Sequence, residues 1–150
     1  MSQSCDAGHD FLMDVVDRVT RSRMMSGIRG KDTKPERFVR SALHRAGLRF
    51  RLHAKLPGKP DLVLPRYHTA VFVHGCFWHR HAGCRYATTP ASNAAFWLEK
   101  FAANKQRDAV VKRRLRQLGW QVRVVWSCQL NQRKMDALIA KIRSGSRRKA

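Results

Sequence analysis

Cysteine and histidine residues cluster in one short stretch of this 150-residue chain. Cys76, His81 and Cys84 follow the spacing Cys-X4-His-X2-Cys, and Cys128 comes much later, just after a strand-like segment. Zinc prefers four tetrahedral Cys and His ligands, so one distant cysteine closing this cluster predicts a structural zinc site without the open position that catalysis needs. Buried thiols in a reducing compartment are the alternative interpretation. Cys5 lies outside this stretch and is not needed for the site.

Carboxylates and imidazoles accompany two short apolar segments. Asp61 begins the first segment, where a carboxylate can hold a hard cation such as Mg²⁺ with water and phosphate oxygens. His74 and His79 follow the second segment, and an imidazole can take a proton from water near neutral pH. Glu36 and Asp108 are further acids on predicted helices. The alternatives are a turn residue for Asp61, structural histidines, and ion pairing with nearby arginines for Asp108.

Two large aromatic residues, Phe77 and Trp78, stand between Cys76 and His79. Aromatic side chains are costly to expose, so these two either fold back into the core or form a stacking platform for nucleic-acid bases. The alternatives stay open at this level, because the surrounding segment has neither a helix nor a strand period.

The net charge favours a polyanionic partner. The chain has 31 Lys and Arg against 10 Asp and Glu, a formal net charge of +21. Nucleic acid is the commonest polyanion, although a ribosome-associated or merely basic protein has the same composition. The stretch Arg18–Arg29, which includes Arg21 and Arg23, is a candidate phosphate-contact arm with Met25 as a flexible wedge; a solvated basic face is the alternative.

The elements that must position these residues alternate between helices and strands. Thr33 or Asp32 caps a first helix that ends at Gly47, and Asn93 precedes a long helix that ends at Gly119. The predicted order α-β-β-β-α-β-α implies an α/β fold, a mixed sheet flanked by helices. The remaining predicted elements are strands Arg49–His53, Asp61–Leu64, Thr69–Val73 and Gln121–Trp126, a long loop Gly75–Ser92, a long-helix apolar face of Phe96, Trp97, Phe101, Val111, Leu115 and Leu118, and a last helix marked by Met135, Leu138, Ile139 and Ile142.

One domain accounts for most of the chain. We expect an N-terminal extension over residues 1–17, a single domain over 18–143 and a disordered basic tail over 144–150. No apolar run approaches the roughly 20 residues that span a bilayer, and the acidic first residues do not look like a secretory leader. A cytoplasmic protein without a membrane partner is therefore expected.

Several motifs together resemble the very short patch repair endonucleases. The resemblance covers about residues 14 to 130 in unbroken order, and its most specific part is the run His-Gly-Cys-Phe-Trp-His. The matching segments are Thr20–Ile28, Leu56–Val63, Phe72–His79, Phe96–Lys100, Asn104 with Arg107 and Asp108, and Gly119–Trp120 with Val125–Cys128.

This resemblance implies a restriction-endonuclease-like fold and a nick in double-stranded DNA 5′ of the T of a T·G mismatch, which arises when 5-methylcytosine deaminates. It implies catalytic Mg²⁺ and a structural zinc. Expected partners are mismatched double-stranded DNA and other mismatch-repair proteins, in the cytoplasm at the nucleoid. Because a mismatch site is asymmetric, we expect a monomer.

The resemblance also assigns roles to individual residues. Asp61 and the main-chain carbonyl of Val73 would ligate Mg²⁺, and Glu36 would hold metal-bound waters. The family usually has Thr where this chain has Val73, and a carbonyl ligand tolerates that change. The remaining assignments are His79 as general base, Asp108 as its orienting partner, His74 on the scissile phosphate, Phe77, Trp78 and Met25 as wedges, and Arg21, Arg23 and Lys100 as further DNA contacts.

Two other functions fit the same residues. A zinc-pinned DNA-binding module would bind DNA without cutting it, and a restriction endonuclease of the same fold would cut matched DNA. A Mg²⁺-dependent nicking assay on matched and mismatched duplexes separates all three.

Overall fold

A computed structural model of the chain describes residues 19–20, 23 and 30–147. The chain divides into two compact units, Met1–Gly30 and Lys31–Ala150. In the first unit, the described residues Val19, Thr20 and Arg23 are helical and exposed. All elements described below belong to the second unit. In the described part of the chain, no helix is both long enough and apolar enough to cross a membrane.

The first helix of the second unit, α1 (Lys34–Arg45), begins and ends where the sequence predicts. The Thr33 side chain accepts a hydrogen bond from the main-chain N–H of Glu36 and so caps the helix. At the other end, Gly47 adopts a φ of +78°, a left-handed conformation that favours glycine, and Leu48 bonds back to the Leu43 carbonyl. The buried positions of α1 then face the core.

Three strands form one mixed sheet in the described part of the chain. They are β1 (Leu62–Leu64), β2 (Thr69–His74) and β3 (Gln121–Trp126), with β2 in the centre. β1 runs antiparallel to β2, and β2 runs parallel to β3. The predicted mixed sheet is confirmed, and the three strands lie where the sequence places them.

Three more α-helices complete the unit: the short α2 (Cys76–His79), the long α3 (Ala94–Gln117) and α4 (Gln132–Arg147). Single-turn 3-10 helices lie at Pro65–Tyr67 and Ser127–Gln129. One core cluster joins side chains of α1 and α4 to Val71 of β2 and Val125 of β3. Neighbouring β2 residues Ala70 and Phe72 point the other way and pack with Leu115 of α3. Because successive residues of a strand face opposite sides, helices cover both faces of the sheet.

The predicted strand Arg49–His53 is wrong. Only Arg51 pairs, through an isolated antiparallel bridge to Val63. His53 adopts a φ of +54°, so the backbone leaves the extended conformation directly after the bridge. The predicted loop over 75–92 also differs at its start, where Cys76–His79 form the turn of α2.

Two predictions about the later helices need correction. Phe96 and Leu118 are 49% and 55% exposed, since one lies in the first turn of α3 and the other at its C-cap, whereas Trp97, Phe101 and Leu115 are buried as expected. The expected tail also begins too early, because α4 continues to Arg147. Its last turn lies against β3: Gly145 is buried, and its carbonyl accepts a hydrogen bond from Gln121 Nε2 at 2.9 Å.

Candidate active site and metal centre

The pairing of β1 with β2 places Asp61 beside the end of the central strand. Asp61 immediately precedes β1, and its Oδ2 accepts a hydrogen bond from the main-chain N–H of Val73 at 2.7 Å. Burial raises the pKa of Asp61 above its ordinary value, the Val73 bond opposes that shift, and the nearby charge of Glu36 adds to it. A carboxylate held next to a second carboxylate is stabilised in its ionised form by a bound cation. This chemistry fits a divalent cation ligated by oxygen atoms.

Glu36 reaches this region from the first turn of α1 and is only 6% exposed. Its Oε2 accepts from the main-chain N–H of Asp32 at 2.9 Å and from the Arg40 guanidinium at 3.2 Å. Its Oε1 accepts from the Thr33 hydroxyl at 3.1 Å. The carboxylate is therefore fixed in orientation; Oε2 already accepts two hydrogen bonds, and Oε1 retains lone-pair capacity for a water molecule.

His79 and Asp108 form a hydrogen-bonded pair between α2 and α3. Nδ1 of His79 lies 2.6 Å from Oδ2 of Asp108, and the two side chains are 29% and 22% exposed. Because an ionised carboxylate only accepts hydrogen bonds, Nδ1 carries the proton and donates it. Nε2 of the neutral ring is then the atom that is free to accept a proton, which is the arrangement that a general base requires.

The ring of His74 stacks on the ring of His79. The two ring centres lie 3.8 Å apart at an interplanar angle of 10°. His74 is 5% exposed, and its Nδ1 has no hydrogen-bond partner among the described residues. Burial, followed by the neighbouring charge of His79, lowers the pKa of His74 to about 4. At neutral pH it is therefore an uncharged hydrogen-bonding group rather than a source of positive charge.

The four predicted zinc ligands come together. The ligand atoms of Cys76, His81, Cys84 and Cys128 all lie within 4.8 Å of one another. Nδ1 of His81 lies 3.7 Å from the Cys76 sulfur and 3.2 Å from the Cys128 sulfur. Tetrahedral zinc with bonds of about 2.3 Å to sulfur and 2.0–2.1 Å to nitrogen places such atoms roughly 3.6–3.8 Å apart. The donor set and its spacing fit one zinc ion.

The pKa values of the clustered thiols also fit a bound zinc ion. Burial raises the pKa of Cys76, but hydrogen bonds from Ser127, Cys128 and His81 outweigh it and lower this pKa to about 7. For Cys128, burial and contacts with the thiols of Cys76 and Cys84 raise the pKa to about 12. A second thiolate beside the first is thus unfavourable until a cation neutralises the charge, as Zn²⁺ does.

Phe77 and Trp78 join an aromatic cluster on the N-terminal half of α3. The Phe77 ring centre lies 5.6 Å from that of Trp97 and 5.1 Å from that of Phe101. The Trp78 ring lies 5.9 Å from Trp97, and the Lys100 ammonium lies 5.6 Å from the centre of the Trp78 ring. Both predicted wedge residues are half-buried. Each ring therefore packs partly against other side chains and remains partly exposed to solvent.

An open cleft of about 720 Å³ begins at the His79–Asp108 pair. Among the described residues that line it, Asp108 is the single acid. The cationic residues that line it are Arg80, Lys105, Lys112, Arg113 and Arg116. The sequence analysis did not select these five as site residues. For Lys105, Lys112 and Arg116 the signal is their spacing with Asp108 on one face of a helix, which periodicity alone could have found.

The predicted DNA contacts are only partly covered by the described residues. Met25 and Arg21 lie outside them. Arg23 is described as helical and exposed in the first unit, and Lys100 lies in the second. The predicted catalytic residues Asp61, His74, His79 and Asp108 are brought together in a continuous series of contacts or electrostatic interactions.

Comparison with known proteins yields one family. The model of the family described as DNA mismatch endonuclease Vsr matches residues 13–85. The chain is 45% identical over 123 residues to the DNA mismatch endonuclease Vsr of Escherichia coli (strain K12), covering 81% of this chain and 78% of that protein. It is 46% identical over 134 residues to the type II nicking enzyme V.XorIIP of Xanthomonas oryzae pv. oryzae, covering 87% of this chain and 96% of the relative. It is 44% identical over 120 residues to the type II nicking enzyme V.NmeAIP of Neisseria meningitidis serogroup A, covering 79% and 85%.

Proposed function

Because the chain belongs to the Vsr family of DNA mismatch endonucleases, we propose that it nicks double-stranded DNA 5′ of the T in a T·G mismatch, with Mg²⁺ as cofactor. Membership makes the protein a DNA endonuclease, a hydrolase of phosphodiester bonds, and its mixed sheet flanked by helices is the restriction-endonuclease-like fold. The single observation that best supports the proposal is the connected series Asp61, Val73, His74, His79 and Asp108, the last three of which line a cationic cleft.

Residues of two strands and one helix would hold the Mg²⁺ ion. Asp61 and the main-chain carbonyl of Val73 are the proposed protein ligands, and Glu36 would orient metal-bound waters. When bound there, Mg²⁺ supplies a Lewis acid that stabilises negative charge on the phosphate oxygens. Burial raises the pKa of Asp61, and the charge of Glu36 adds to that shift; this supports the assignment, since a bound cation stabilises the ionised carboxylate.

The His79–Asp108 pair would move the proton. Nε2 of His79 takes a proton from a water molecule as the water oxygen bonds to phosphorus and the opposite phosphorus–oxygen bond breaks. Asp108 accepts from Nδ1, holds the tautomer and stabilises the imidazolium that forms. His74, uncharged and with a free ring nitrogen, would bind a phosphate oxygen through a neutral hydrogen bond.

Mismatch selection would come from the aromatic cluster. Phe77 and Trp78 would enter the duplex beside the T·G pair, with Met25 on the other side and Arg21, Arg23 and Lys100 as further DNA contacts. Unstacking costs least at a mismatched base, so a wedge favours T·G over C·G duplexes. The half-buried position of both rings supports the proposal, because packing against Trp97 and Phe101 restricts their rotamers before DNA binds.

The zinc site would hold the segment that carries the wedge and the base. Cys76 and His81 flank Phe77, Trp78 and His79 in the chain, so a zinc ion on them and on Cys128 ties α2 to the end of β3. We further propose that the protein acts as a monomer in the cytoplasm, at the nucleoid, where other mismatch-repair proteins are potential partners.

A nicking assay tests the proposal. Duplexes that differ only in T·G or C·G at one position are incubated with the protein, with Mg²⁺ or with EDTA, and strand cleavage is measured. We expect a single nick 5′ of the T, in the T·G duplex and with Mg²⁺. Binding without cleavage would support the DNA-binding module, and cleavage of the C·G duplex at a palindrome would support a restriction endonuclease.

A further inference from the structure

One face of α3 carries three cations that continue away from the His79–Asp108 pair. Lys112, Arg113 and Arg116 all line the same cleft as Asp108, and we refer to these three as the cationic face. At 1.5 Å per residue, Asp108 and Arg116 are about 12 Å apart along the helix axis. The cationic face is therefore a stripe that starts at the proposed cleavage centre and leads toward the C-terminal end of α3.

The side chains of the cationic face have no anionic partner within the described part of the chain. The ion pairs in that part of the chain join Arg40 to Asp32 and Glu36, and His79 to Asp108. None of the three side chains makes a hydrogen bond or ion pair with another described residue, whereas Arg107 and Arg80 do. Lys112 is half-buried, and Arg113 and Arg116 are exposed. A bound anion would neutralise these charges.

We infer that the cationic face of α3 is a phosphate track, which binds the DNA backbone next to the scissile phosphate on matched and mismatched duplexes alike. The inference rests on the proposed function, because it takes the His79–Asp108 pair as the position of the scissile phosphate. One strand of B-DNA carries a phosphate every ~3.4 Å of helix axis, so a stripe of about 12 Å along that axis spans about three or four phosphates, enough for one contact by each of the three cations. Such contacts position the protein on DNA without reading bases.

This assignment separates two tasks within one interface. The aromatic cluster near Phe77 and Trp78 lies on the N-terminal half of α3, and the phosphate track occupies the C-terminal half. Affinity for any duplex would come mainly from the track, and preference for T·G from the wedge. Loss of the track should therefore weaken binding to C·G and T·G duplexes by the same factor.

The salt dependence of binding tests the track. The triple variant Lys112→Gln, Arg113→Gln, Arg116→Gln is compared with a control that loses the same charge at exposed positions outside the cleft, Arg114→Gln, Arg133→Gln, Lys141→Gln. Fluorescence anisotropy with a labelled matched duplex gives the binding constant at several salt concentrations. Each lost phosphate contact should reduce the slope of log K against log salt by about 0.9. We expect a reduction of about 1.8–2.7 for the triple variant and less than 0.9 for the control.

The outcomes distinguish the track from the nuclease function. Equal slopes for the triple variant and the control would overturn the track, even if the unmodified protein nicks T·G duplexes. A selective reduction of the slope in a protein that does not nick would support the track as a DNA contact and overturn the proposed function instead. If the triple variant does not fold, the single variants Arg116→Gln and Arg114→Gln are compared instead. We expect their slopes of log K against log salt to differ by about 0.9, and equal slopes would refute the inference.

Discussion

Replacing Asp108 with Asn tests whether the His79–Asp108 pair acts as one proton-transfer unit. Asn has the same size but no charge, so the 2.6 Å contact to Nδ1 of His79 loses its charge assistance. Hydrogen bonds to charged groups contribute about 1.5–3 kcal/mol, and 1.36 kcal/mol is tenfold in rate. We therefore expect Asp108→Asn to slow single-turnover nicking of a T·G duplex by about 10- to 150-fold, with the dissociation constant unchanged.

The double variant provides the stricter test. Removing the base in His79→Ala should cost roughly 10²–10⁴-fold, and adding Asp108→Asn to it should cost almost nothing more, because Asp108 acts through His79. Multiplicative losses in the double variant would show that Asp108 acts on the DNA or the metal independently. Full activity of Asp108→Asn would refute the proton-transfer unit.

A loss of nicking activity that results from reduced stability can be distinguished from a loss of proton transfer. The pair is 29% and 22% exposed, and Asn keeps a hydrogen-bonding group beside His79, so the loss of stability should be about 1 kcal/mol. The melting temperature of Asp108→Asn should therefore fall by no more than roughly 4 °C. Asp136→Asn, the same chemical change at an exposed residue of α4, is the matched control and should leave nicking unaffected.

Three further predictions address the metals and the wedge. Metal analysis of the purified protein should give about one zinc per chain by the four-ligand count. Cys5→Ser should leave the zinc content unchanged, whereas Cys128→Ser should lower it and destabilise the fold. Full zinc retention in Cys128→Ser would remove that residue from the site. Asp61→Ala should abolish nicking while DNA binding survives, and wild-type cleavage by this variant would move the active site elsewhere. Trp78→Ala should reduce the T·G-to-C·G cleavage ratio, with a stability loss below the roughly 3–5 kcal/mol of a buried aromatic; a strongly destabilised variant that still discriminates would assign Trp78 to the core instead.

Local signals in the sequence predicted most elements of the second unit. Thr33 and Gly47 bound α1 as expected, and the apolar segment at 121–126 is β3. Capping side chains, left-handed glycines and the helix and strand periods act over a few residues, so they can be read from neighbours in the chain. The strand expected at Arg49–His53 failed because strand formation needs a partner in register, and only Arg51 finds one.

The sequence also determined the types of residue that assemble the site. The spacing of Cys76, His81 and Cys84 indicated a metal centre, the acids and histidines indicated a cation site with a proton-accepting imidazole, and the resemblance to the repair endonucleases added phosphodiester cleavage. Which residues meet was decided by tertiary structure. Cys128 approaches His81 only because β3 pairs parallel to β2, which brings the ends of both strands to the same edge.

The remaining features depend on how α3 packs. Its contact with α2 brings Asp108 to His79 across 29 positions of sequence, and its docking on the sheet leaves Phe96 exposed while Trp97 is buried. The same orientation turns Lys112 and Arg116 into the cleft. Helical periodicity determines which side chains share a face, but only packing against the sheet and α2 determines what that face meets, because this depends on side-chain volumes from distant parts of the chain.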